Sequence, residues 1–208
     1  MAKSGVALAG ERIDVFGDVR AFNEACGVRM NAESGSIPDS DLVPSLQLIA
    51  EELNELDEAV GQRNLVEVAD AVADLIYVMS GMLLRLGMTA PRLLRSVNPI
   101  GIPAPHRQGM WLLAEGYALK AHRELGKMFI TSFGCGDVRR HAGYAAKALR
   151  ELAGTLGIPL QAVWDEVQRS NMAKVVEGVV VRDPVTNKIL KPDGWTAPDI
   201  AGVLERAG

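Results

Sequence analysis

The stretch SLQLIAEELNELDEAVGQRNLVEVADAVADLIYVMSGMLLRLGM, residues 45–88, decides the fold. Ile49, Leu53, Leu56 and Val60 recur at helical spacing, so Ser45–Val60 is expected to be a helix with one apolar stripe. Gly61–Asn64 reads as a turn. Asn64 is a good N-cap, and Glu67 stands three residues later, as in a capping box. A longer helix over Leu65–Leu86 follows, stopped by Gly87. The stretch is therefore an α-helical hairpin.

Outward from this hairpin the pattern stays helical. Residues 1–12 read as a loose tail, Ile13–Gly27 as a short amphipathic helix, and Asn31–Pro44 as a loop rich in Ser, Gly, Asp and Pro. Prolines 91, 99, 103 and 105 mark a connector. Helices are expected at about Trp111–Leu125 and Val138–Leu156, and a last one opened by Pro159 at its first position and running to about Val175. Val179–Leu190 reads as a short β-hairpin around Pro184–Asn187, within a tail punctuated by Pro and Gly. Apolar residues make up 48% of the chain but aromatics only 5%, which favours helix packing over a β-sandwich. The expectation is one all-α domain, residues 1–208.

The charge of −4 argues against a general grip on the phosphate backbone of nucleic acid. No apolar run reaches membrane-spanning length, and Met1–Gly10 lacks a signal-peptide core. Cys26 and Cys135 are the only cysteines, so a reduced protein in the cytoplasm is expected. His106, His122 and His141 have no metal-ligand spacing and are read as structural.

The hairpin has an echo. Leu48–Val60 aligns with Leu112–Glu124, and Val66–Met88 with Gly136–Ile158, in length, apolar pattern and the closing Leu-Gly. This reads as a duplicated helix pair, residues 13–88 holding the first copy and 106–158 a degenerate one, packed as an internal pseudo-dimer. Residues 159–176 then form a further helix and 177–208 the tail. A homodimer of the whole chain is also expected.

The first copy concentrates acids: Glu51, Glu52, Glu55 and Glu58 on one helix, Glu67, Asp70 and Asp74 on the next. Spacings of three and four place Glu51, Glu52 and Glu55 on neighbouring positions of one face, and Asp70 with Asp74 on another. Two carboxylates about 4 Å apart at an effective dielectric of about 20 repel by about 4 kcal/mol, so several together call for a cation. The set is all oxygen, which suits Mg²⁺ or Mn²⁺. A solvated acidic face is the plainer reading of a Glu-rich helix. Against it, Asp70 and Asp74 sit mid-helix, where Asp is a poor former, among Ala69, Ala71, Val72, Ala73, Leu75 and Ile76. The second copy also drops the acids: Gly116, Leu119, Arg140 and Tyr144 stand opposite Glu52, Glu55, Asp70 and Asp74. Glu67 is assigned to capping and Glu58 to the surface.

These residues resemble the MazG-like and phosphoribosyl-ATP pyrophosphohydrolase superfamily of all-α enzymes. Its EExxE signature stands here as Glu51-Glu52-Leu53-Asn54-Glu55. The acidic pair of the second helix departs from the pattern: Asp70 lies four before Asp74, while Glu67 and Asp70 also fit ExxD, leaving the register open. Trp164–Lys174, WDEVQRSNMAK, is similar to the SNMxK segment of phage and bacterial relatives, as are Phe22, Asn23 and Gly27 and the tail Lys188–Asp199. The resemblance implies hydrolysis of a nucleoside triphosphate to monophosphate and pyrophosphate, with Mg²⁺ or Mn²⁺ held by Glu51, Glu52, Glu55, Asp70 and Asp74. Glu51 or Glu52 would orient or deprotonate the attacking water. Asn171, Lys174, Arg169 and Asn23 would hold the substrate. Trp195 is read first as an anchor for the tail. Within the superfamily, a phosphoribosyl-ATP hydrolase or a specialised dGTP or dUTP hydrolase are alternatives; outside it, a non-catalytic nucleotide-binding or assembly module.

Overall fold

A computed structural model describes residues 14–30, 37–88, 107–133, 137–185 and 188–207. Seven helices stand among them: α1 (Val15–Ala25), α2 (Asp39–Gln62), α3 (Leu65–Arg85), α4 (Arg107–Ser132), α5 (Val138–Thr155), α6 (Leu160–Met172) and α7 (Ile200–Ala207). The all-α bundle expected from the sequence is the architecture found among the described residues. No helix among the described residues is long and apolar enough to cross a membrane. The proline-rich connector lies outside the described residues, as does Cys135; Cys26 is a buried free thiol.

α3 is the central helix because its sequence is apolar nearly all round. Val68, Val72, Leu75, Ile76, Met79, Met82 and Leu83 are all buried, and α1, α2, α5, α6 and α7 pack on it. The Asn64 cap is in place: its side-chain oxygen accepts from the backbone N–H of Val66 and Glu67 at 3.2 and 3.4 Å. The turn before it is closed by Arg63 in the left-handed conformation, φ 54°, and α2 runs straight through Gly61.

α2 begins at Asp39, not Ser45, so the loop expected to reach Pro44 is shorter. Proline this close to a helix start removes one backbone bond from an end already short of partners. Asp39 and Asp41 in the first turn favour the positive end of the helix. Arg85 of α3 then pins that turn, with 3.2 Å to the Asp41 carboxylate and 3.1 Å to the Ser45 hydroxyl.

The second hairpin repeats the plan with smaller residues. Ala114, Ala118 and Ala121 of α4 face Ala142, Ala145, Ala146, Ala148 and Leu149 of α5, all buried, so the two helices form the other tightly joined pair. α4 meets α2, and α5 meets α3. Both hairpins end alike: Gly87 and Gly157 each take φ 69°, letting the N–H of Met88 and Ile158 reach back to the carbonyls of Leu83 and Ala153.

α1 and α6 are fastened to α3 by an aromatic group. Tyr77 packs on Trp164 and edge-on to Phe22, with ring centroids 5.4 and 5.8 Å apart. The buried Trp164 indole donates to the Asp18 carboxylate at 2.9 Å, and Gln168 accepts from the Tyr77 hydroxyl at 2.8 Å. Beyond α6 the expected β-hairpin reduces to isolated bridges, Val176 with Val179 and Arg182 with Ile189. Residues 186 and 187 of its turn lie outside the described residues. α7, hidden in the sequence by its eight residues, closes the chain against α3 and α6.

Candidate metal and phosphate site

The α2–α3 hairpin sets two acid-bearing faces side by side. Glu51 and Glu55 of α2 are exposed, while Glu52 is half-buried with Asp70 and Asp74 of α3. Burial first, and then the negative charges of Asp74, Glu55, Asp70 and Glu51, raise the Glu52 carboxyl to about 8. Asp74 is raised to about 7 by burial, then by Asp70 and Glu55, with Lys174 opposing. Asp70 is raised to about 6 by burial and by Glu67 and Glu55. Six acids therefore feel one another across the hairpin. One buried oxygen on Glu52 and one on Asp70 have no hydrogen-bond partner.

Lys174 faces this group from the turn after α6. Burial lowers its pKa, while the charges of Asp74, Cys26 and Glu52 pull it back up. Its ammonium donates to Asn171 at 2.7 Å, and Asn171 also bonds to the Tyr77 hydroxyl. The structure thus brings the SNMxK segment to the EExxE helix pair.

Arg169 is occupied elsewhere. It forms a two-pronged pair with Glu166 and bonds Thr196 and the Ala197 carbonyl, tying the tail to α6. Asn23 is buried against Gly81, two turns along α3 from Asp74 or about 10 Å, and its amide nitrogen has no partner. Neither is brought to the carboxylates by any contact described. Glu67 is exposed beside the cap and within electrostatic reach of Asp70. Conversely, Lys188 pairs with Glu51 at 3.7 Å, and Lys191 stands 4.2 Å above the Trp195 ring; the sequence reading passed over both. Their signal was two lysines three apart beside a lone tryptophan, indistinct within a polar tail.

An all-oxygen donor set on two helices suits a hard divalent cation, and the partnerless oxygens of Glu52 and Asp70 are the kind of group such a cation satisfies. The set is open: among the described residues no three of His, Cys, Asp or Glu already converge as a ligand group. Closing it would draw in the exposed Glu51 and Glu55. The second hairpin also holds a buried carboxylate oxygen without a hydrogen-bond partner, on Glu151, but its acids have cations beside them. Its buried Glu124 is held at about 2, despite burial, by hydrogen bonds from His141, Lys127 and Arg123, and Glu151 lies 3.7 Å from both Lys120 and Lys147.

Residues 19–99 of this helical bundle match the phosphoribosyl-ATP pyrophosphohydrolase family, which belongs to the MazG-like all-α superfamily, and the matched segment contains Glu51, Glu52, Glu55, Glu67, Asp70 and Asp74. The chain is also 30% identical over 145 residues to an uncharacterized protein of Acanthamoeba polyphaga mimivirus. That similarity covers 62% of this chain and 57% of the viral protein. No solved structure matches the chain.

The raised carboxyls set a pH dependence for the metal-free protein. Asp74 ionises near 3.8 when unfolded and near 7 when folded, so between these values the folded state holds more protons. Stability should then fall as pH rises from about 4 to about 8. Asp74→Asn should flatten this fall and, at pH 8 in chelator, melt as high as the parent or up to about 5 °C higher. Thermal melts across this pH range check it; a variant melting lower at pH 8 would mean that Asp74 supports the fold.

Proposed function

We propose that the chain is a Mg²⁺- or Mn²⁺-dependent nucleoside triphosphate pyrophosphohydrolase, releasing a monophosphate and pyrophosphate. The observation that carries this is the group of half-buried, mutually repelling carboxylates on α2 and α3, confined to the hairpin that matches the family. Glu52, Asp70 and Asp74, with Glu51 and Glu55 from the rim, would hold the cation. When bound, it would neutralise the triphosphate and acidify a water. Glu51 is the better placed of the two candidate bases, because it is exposed and its partner Lys188 is also exposed. Lys174 would meet a phosphate oxygen as a point charge, and Asn171 fixes its direction. Asn23 stays a substrate contact only if a ligand reaches its buried amide.

Activity should require Mg²⁺ or Mn²⁺ and disappear in chelator. Pyrophosphate should appear as the direct product from a panel of ribo- and deoxynucleoside triphosphates. Full activity in chelator, or stepwise release of single phosphates, would overturn the proposal. Glu55→Gln should cut turnover at least about a hundredfold, since losing even an outer-shell partner of a metal ligand costs about 10- to 100-fold, while Arg140→Ala stays near the parent.

The expected homodimer also remains a proposal, supported by α4. Leu112, Leu119, Ile130 and Phe133 are exposed along one row of this helix, and nothing lies near the open faces of Gly116 and Gly126 between them. The row spans about 31 Å. A single antiparallel register sets Leu119 against Gly126 of a second copy and Leu112 against Phe133, each twice, as a two-fold axis requires. Light scattering should give about twice 22.3 kDa, falling to one chain mass in Leu119→Glu. A monomeric parent would contradict this pairing.

A further inference from the structure

The tail after α6 reaches the carboxylate group through Lys188 beside Glu51, and its Trp195 and Lys191 stand beside Lys174. Trp195 hydrogen-bonds through its indole N–H to the Ser170 carbonyl at 2.9 Å, and the Ser170 hydroxyl bonds the Thr196 carbonyl at 3.1 Å. Arg182 bonds the Cys26 carbonyl at 3.0 Å at the other end of the segment. These bonds fix the Trp195 ring, and two ammoniums stand against it: Lys191 at 4.2 Å and Lys174 at 5.8 Å from its centroid. Each lysine gains from the ring's negative face. Yet the two cations repel, as the lowering of Lys174 by Lys191 records. Lys174 has Asp74 and Glu52 to offset this, whereas Lys191 is held by the indole.

We propose that Lys191 and Lys174, spaced by the Trp195 ring, form the polyphosphate-binding wall of the site, opposite the acid faces of α2 and α3. Lys188, 3.7 Å from Glu51, extends the wall to the rim. The inference rests on the pyrophosphohydrolase reading for its substrate but not for its ligand class. Two cations on a rigid aromatic face beside a carboxylate group match a polyanion whose far side carries a divalent ion: the anion bridges what would otherwise repel. Trp195 is a positioning residue. It touches no substrate in this account and sets where the two ammoniums stand.

The test is binding of inorganic tripolyphosphate to the full-length chain, measured by calorimetry with and without Mg²⁺, alongside nucleotide kinetics. Lys191→Ala should weaken tripolyphosphate binding about tenfold, the loss of one charge-assisted phosphate contact. It should raise KM by a similar factor and leave kcat within about threefold. Lys191→Arg should retain most of the binding. Trp195→Ala should reproduce the Lys191→Ala loss, while Trp195→Phe, which keeps a ring face, should recover part of it. Lys147→Ala, on the second hairpin, should bind as the parent, and unchanged melting of Lys191→Ala excludes unfolding. Equal tripolyphosphate binding by parent and Lys191→Ala would overturn the wall, even if the parent cleaves nucleotides to pyrophosphate. Binding that depends on Lys191 in a chain that cleaves none of them would leave the wall standing and remove the pyrophosphohydrolase reading.

Discussion

The repulsion among half-buried carboxylates on α2 and α3 is the constraint around which the molecule is arranged. Glu52, Asp70 and Asp74 are placed where water is scarce, and each raises the cost of ionising another. A fold built for stability alone would not half-bury acids there; at the aligned positions of α5, Arg140 and Tyr144 are exposed. The acids are tolerated because α3 is anchored on other sides: by the Asn64 cap, by Arg85 on the first turn of α2, and by the Tyr77–Trp164 contact with α6.

The two hairpins answer charge in opposite ways. In the second, Glu124 is fully neutralised by His141, Lys127 and Arg123, and the positions aligned with the acids hold Gly116, Leu119, Arg140 and Tyr144. Arg140 stands over the Tyr144 ring at 5.8 Å, so even that cation has a local partner. In the first, compensation comes from the far end of the chain, through Lys174 and Lys188. One hairpin is closed on itself and the other is left with charge to satisfy. That asymmetry is why the proposed cation site is assigned to α2 and α3.

What was legible in the sequence was what depends on local chemistry. The α2–α3 hairpin, its Asn64 cap, the closing Leu-Gly of each pair and the grouping of acids on facing helices all follow from spacing and residue type. What was not legible depends on partners distant in sequence. The start of α2 at Asp39 needs Arg85, and the fate of Arg169 needs Glu166 together with Thr196 and Ala197. α7 is too short for its periodicity to stand out, although Asp199 caps it by accepting from Gly202. Lys191 gains meaning only once Trp195 is seen held against the Ser170 carbonyl.

The central claim is that the chain carries one cation site, built by the first hairpin alone. Anomalous diffraction from a Mn²⁺-soaked crystal tests it most directly. The account predicts density bounded by Glu52, Asp70 and Asp74, with Glu51 or Glu55 turned inward and Lys174 on the opposite side. Density at Glu124 or Glu151, or at the face of Gly116, Leu119, Arg140 and Tyr144 with none between α2 and α3, would contradict it.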